Sequence, residues 1–173
     1  MSLFVCALAD VEAEVRRRRP DGVVSLLSPG QSPPACPSGP PRLILSFHDI
    51  AEPAEGFVAP DSGIVARLLA FDAGLGAGAR VLAHCWMGIS RSPAAAYILA
   101  CARRGPGAED ELARALRQAA PSATPNPLLV RLADAQLERR GRMSAAVAAI
   151  GRGSEATIGQ PFELGLADRS AGA

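Results

Sequence analysis

Val81-Leu82-Ala83-His84-Cys85-Trp86-Met87-Gly88-Ile89-Ser90-Arg91-Ser92-Pro93 joins an apolar run to a cysteine, five further residues, an arginine and a Ser-Pro step. The apolar run predicts a buried strand over 81–83. Ser92-Pro93 predicts a helix start, with Ser as the cap and Pro at the first position. That helix should run to about Arg104 and stop at Gly105-Pro106. If the residues between Cys85 and Arg91 curl, their backbone N–H groups converge on one point. The helix N-terminus adds its positive end, so the curl is an anion nest. Gly88 relieves the backbone where the curl needs unusual dihedrals. Arg91 can close the ring and hold two oxygens of a phosphate. Such a cradle favours a thiolate at Cys85, placed for in-line attack on phosphorus. Amides and Arg91 supply the positive charge, so this chemistry calls for no metal and no cofactor.

Strand signals precede the loop at 3–8, 23–27 and 43–47, and helix signals lie at 9–18 and 63–71. Asp61 or Ser62 can cap the second of these helices. Further amphipathic helices are predicted at 109–119 and 127–139, and a last short helix at 143–150. Strands alternating with helices predict an α/β domain over 1–150. Its centre is a largely parallel sheet of four to five strands, flanked by helices on both faces. Residues 151–173 are small and polar without a clear period and read as an extended or disordered tail.

Composition narrows the function. The chain has 173 residues, 49% of them hydrophobic, enough for one domain with a proper core. Its net charge of +1 argues against a nucleic-acid partner. No apolar stretch approaches the ~20 residues of a membrane span. No secretory signal opens the sequence, and a cytoplasmic location is expected. Cys6, Cys36, Cys85 and Cys101 form no CxxC pair, which disfavours a zinc site or a disulfide framework. Cys6 and Cys101 read as buried small hydrophobes, and Cys36 as a loop residue. The Arg16 to Arg19 run reads as the solvated end of the first helix, and the Pro-rich 32–41 stretch as a surface loop.

His-Cys-x5-Arg-Ser between a strand and a helix resembles the signature of the protein tyrosine phosphatases, in their small dual-specificity-like branch. Low-molecular-weight phosphatases and arsenate reductases share the Cys-x5-Arg spacing but carry it at the start of the chain. Rhodanese-like sulfurtransferases lack the Arg-Ser ending. The resemblance implies hydrolysis of phosphate monoesters through a phosphocysteine. The substrate it implies is a phosphorylated protein, phosphotyrosine first and phosphoserine or phosphothreonine next, or a small phosphate ester. It makes Cys85 the nucleophile. The amides of Trp86, Met87, Gly88, Ile89 and Ser90, with Arg91, become the phosphate holders. It also implies that His84 tunes the Cys85 thiolate through loop hydrogen bonds and that Ser92 helps the sulfur leave. The side chains of Trp86, Met87 and Ile89 either line the pocket rim or simply pack. A phosphate-binding module without turnover, and an arsenate-reducing or sulfur-transfer enzyme, are the alternatives.

The leaving oxygen needs a proton donor. Among Asp49, Glu52, Glu55, Asp61 and Asp72, only Asp49 directly follows a strand, on the side of an α/β sheet where ligands bind. The family carries its acid in the same place, and Asp49 is the predicted acid. Pro125-Asn126 resembles the family's Pro-Asn at the start of a late helix, where the Asn holds the catalytic loop. Asn126 is equally a good N-cap, and the two roles are compatible.

Overall fold

Alternating apolar runs and helix signals become one five-stranded sheet in the computed structural model, which describes residues 2–34 and 39–165. The elements are β1 (Ser2–Ala7), a 3-10 turn (Leu8–Asp10), α1 (Val11–Arg18), β2 (Gly22–Leu27), β3 (Arg42–Ser46), α2 (Ser62–Leu75) and β4 (Val81–Cys85). Then follow α3 (Arg91–Arg104), α4 (Glu109–Ala119), α5 (Pro127–Gln136), α6 (Arg142–Ile150) and β5 (Phe162–Gly165). Strand order is β3-β2-β4-β1-β5. β4 runs parallel to both β1 and β2, β2 parallel to β3, and only β5 is antiparallel. The strand that leads into the cysteine loop is therefore central. Strand order reverses around it, which opens a crevice at the carboxyl ends of the strands.

Side chains alternate across the pleat. Leu3 and Val5 join the large cluster that includes Leu68 of α2 and most of α3. Phe4 and Cys6 join a small cluster with Val11 and Val15 of α1. Residues Arg91 to Cys101 of α3 are buried without a break. From Pro93 onward this buried stretch is apolar all round, and its run of small Ala residues lets its neighbours approach closely. It packs against β1, β4, α2, α4 and α5. No helix among the described residues is long and apolar enough to cross a membrane.

Three expectations change. α3 starts at Arg91 and Ser90 occupies its cap position, so Ser92 lies inside the first turn and Pro93 is its third residue. The Ser92 hydroxyl is spent elsewhere, as shown below. α5 stops at Gln136 rather than at 139. Glu138 and Arg140 take positive φ of 54° and 55°, which turns Arg139 inward to donate from Nη2 to the Cys101 carbonyl at 3.1 Å. The third change is at the end of the chain. The segment read as a tail is structured as far as residue 165. Phe162 and Leu164 are buried between exposed neighbours, and the strand they form pairs with β1. Four residues of alternation suffice for an edge strand but are too few to register as a period. Residues 166–173 and Cys36 lie outside the described residues, as does part of the Pro-rich stretch.

Candidate active site

The loop between β4 and α3 is held from outside by its carbonyl groups. Leu8 donates its amide to Trp86 O at 3.2 Å, Gly159 to Met87 O at 2.9 Å and Thr124 to Ile89 O at 2.8 Å. Asn126 donates to Ser90 O at 3.3 Å. A trans peptide points its C=O and the following N–H in opposite directions, and the described residues contain no cis bond. The amides of Met87, Gly88, Ser90 and Arg91 therefore point away from these partners, toward the inside of the curl. Gly88 has φ of +71°, and a Cβ there would lie 2.9 Å from the Ala7 nitrogen. Only glycine suits that position.

Cys85 sits at the bottom, 2% exposed. The Ser92 hydroxyl donates to its Sγ at 3.1 Å. Arg91 is buried and donates from Nη1 to Phe47 O at 3.0 Å and to Ser28 Oγ at 3.2 Å. Its Nε makes no hydrogen bond and lies 3.8 Å from Asp49 Oδ2. Asp49 Oδ1 accepts from Ser90 Oγ at 2.7 Å and from Asn126 Nδ2 at 2.8 Å. Asn126 also donates to Ile50 O at 3.0 Å, and its Oδ1 accepts the Leu129 amide at 2.8 Å. One side chain thus caps α5 and steadies the Asp49 loop. Cys85, Arg91, Asp49, Trp86, Met87, Ile89 and Ser90 line a single open cavity of about 290 Å³.

His84 does not take the place expected of it. Its Nε2 shares a hydrogen bond with Ser25 Oγ at 2.7 Å, and its buried Nδ1 has no partner among the described residues. No loop group bonds it, because Leu82, His84 and Cys6 face the α1 side of the pleat while Cys85 faces the other. Burial, helped by the charge of Arg42, pushes the imidazole down to about 4, so the ring is neutral at pH 7. His48 also serves the backbone: its Nδ1 accepts the Val58 amide at 2.9 Å, and its ring meets Phe57 edge-on. Cys6 and Cys101 are inert by environment. Burial pushes Cys101 up to about 12 and raises Cys6 as well.

Sequence reasoning passed over two parts of this site. Ser28, just after β2, is one; a loop serine carries no signal of an arginine partner. The other is the strap 151–161 that follows α6. Its Ala156 and Thr157 form a wall of the Cys85 cavity. Its Gly159 lies so close to the cysteine loop that a Cβ there would stand 2.8 Å from Gly88 O.

No family model matches the sequence, and no curated protein is significantly similar to it. Solved structures do match. DUSP15 superposes with a TM-score of 0.57 at 19% identity, over 86% of this chain and 89% of that one. Human DUSP28 gives 0.55 at 24% identity, over 85% and 94%. Tk-PTP in its active form gives 0.54 at 22% identity, over 74% and 86%. The chain has the protein-tyrosine-phosphatase fold. Within that class its form is the small one of the dual-specificity phosphatases.

Proposed function

We propose that the chain is a phosphatase that hydrolyses phosphate monoesters without a metal, through a phosphocysteine on Cys85. The observation that carries this reading is the Ser92 hydroxyl bonded to Cys85 Sγ beneath a loop whose Trp86, Met87, Ile89 and Ser90 carbonyls are drawn outward. The inward amides and the Arg91 Nε, which makes no hydrogen bond, suit three equatorial phosphoryl oxygens. The Cys85 thiolate attacks phosphorus in line, the P–O ester bond breaks, and Asp49 gives its proton to the leaving oxygen. Asp49 then takes a proton from water, which attacks phosphorus. The S–P bond breaks and phosphate leaves, with the sulfur's charge met by the Ser92 hydroxyl.

The preferred substrate is phosphotyrosine in a protein. Trp86, half exposed, joins Met87 and Ile89 in an apolar lining that suits an aromatic leaving group better than a serine one. Three free, buried cysteines among the described residues fit work in a reducing cytoplasm. The test is an aryl phosphate assay in chelator, with wild type beside Cys85→Ser, and mass spectrometry of acid-quenched enzyme for phosphocysteine. Equal turnover by the Ser variant sinks the reading.

A further inference from the structure

The strap after α6 is pinned at two glycines. Gly153 lies against the turn after α4, where a Cβ would overlap Ser122 O. Its amide donates to Thr124 Oγ1 at 3.1 Å, and the Ser154 amide donates to Pro121 O at 3.0 Å. Arg117 clamps the same place from α4, donating to Pro121 O at 2.6 Å, Ala123 O at 2.8 Å and Gly151 O at 2.7 Å. Gly159 is the second pin, bonded to Met87 O. Residues 154–158 between the pins are exposed and form a fixed overhang beside the cysteine loop.

Under this overhang lies a second cavity of about 450 Å³. It shares Ile89, Ala156 and Thr157 with the Cys85 cavity, so the two form one cleft. Arg152 lines the second chamber and has no partner among the described residues. Thr124 lines it too, and its hydroxyl, which accepts the Gly153 amide, still carries a hydrogen to donate. Glu155 shares the chamber and does not pair with Arg152. A guanidinium and a hydroxyl donor on a rigid frame suit a carboxylate.

The geometry points to a specificity subsite: the second chamber takes the residue beside the phosphorylated one, and Arg152 selects an acidic side chain there. This rests on the phosphatase reading above. Because Arg152 is exposed, solvent screens the pair, and the preference should be about threefold to fivefold. The test uses phosphotyrosine peptides carrying Glu, Gln or Lys at one flanking position at a time, with an aryl phosphate alongside. Wild type should turn over the Glu peptide best in kcat/KM, and added salt should shrink the advantage. The Glu-to-Gln ratio should fall to near one in Arg152→Ala and invert in Arg152→Glu. Glu155→Gln should widen it. Ratios within each variant cancel general damage to the enzyme. A flat series at every flanking position overturns the subsite, as does an acidic preference that survives Arg152→Ala. A Lys preference lost in Glu155→Gln assigns the chamber to basic residues instead. If the aryl phosphate is not hydrolysed either, the phosphatase reading itself falls and takes the subsite with it.

Discussion

Two segments build the Cys85 cavity, and they do so in opposite ways. The 85–92 loop works through residue types: a thiol, a guanidinium, a hydroxyl and one glycine. The 151–161 strap works mainly through backbone. Its Gly159 offers an amide to Met87 O and the absence of a side chain beside Gly88. The first kind of contribution leaves a signature in the sequence. The second leaves only glycines among many. A site can therefore be readable in its chemistry while part of its frame is silent.

The comparison can be broken from either side. The largest effect belongs to the loop. Cys85→Ser should cost roughly ten-thousandfold or more in kcat, since no other thiol among the described residues lines the cavity; an aryl phosphate assay reads it. Asp49→Asn should cost about a hundredfold in kcat on esters with poor leaving groups, and less on those that leave unaided. A uniform loss across leaving groups would mean that Asp49 only holds Ser90 and Asn126.

The strap should show a smaller but diagnostic effect. Gly159→Ala forces the peptide after Gly88 to move, and a displacement of that kind is expected to lower kcat/KM about tenfold. Gly74→Ala makes a matched control: it lies in α2 with nothing within 4 Å of the added methyl. It should leave activity unchanged and raise stability by about 0.5 kcal/mol. If Gly159→Ala is as active as the control, the strap merely covers the sheet edge.

The smallest effect on catalysis is expected behind the loop, at His84. Its imidazole is held near 4, against an ordinary value of 6.5. The unfolded chain takes up this proton first, so the folded state is fully favoured above pH 6.5 and loses ground as pH falls toward 4. The loss reaches about 3 kcal/mol. Urea unfolding between pH 7 and 4.5 should show this slope in wild type and a shallower one in His84→Gln. Equal slopes would place the proton uptake elsewhere. A large fall in kcat at pH 7 for a folded His84→Gln would restore the imidazole to the tuning role that its bond to Ser25 argues against.

Much of the fold was legible because its signals are local. Apolar runs mark the strands beneath the site, Asp61 caps α2 as its position suggests, and Asn126 caps α5. The start of α3 was misjudged because Ser92 looks like a cap but gives its hydroxyl to a sulfur seven residues away. The Ser92-Pro93 step points to the cap and the Cys-x5-Arg-Ser signature to the sulfur, and the fold decides between them. Asp49 stands out in the sequence by its place after a strand, and it lines the Cys85 cavity. Its contacts with Ser90 and Asn126, 41 and 77 residues away, were not readable from sequence.

By itself the sequence determined the strand, the curled Cys85 to Arg91 loop and the helix after it, because contiguous residues supply all the groups such a nest requires. The tertiary structure alone decided what surrounds that nest. It brought Ser28 and Phe47 O to Arg91, turned His84 away to Ser25, and returned the chain end to the sheet. These are meetings of segments distant along the chain. They depend on backbone groups that every residue carries, so no residue type announces them.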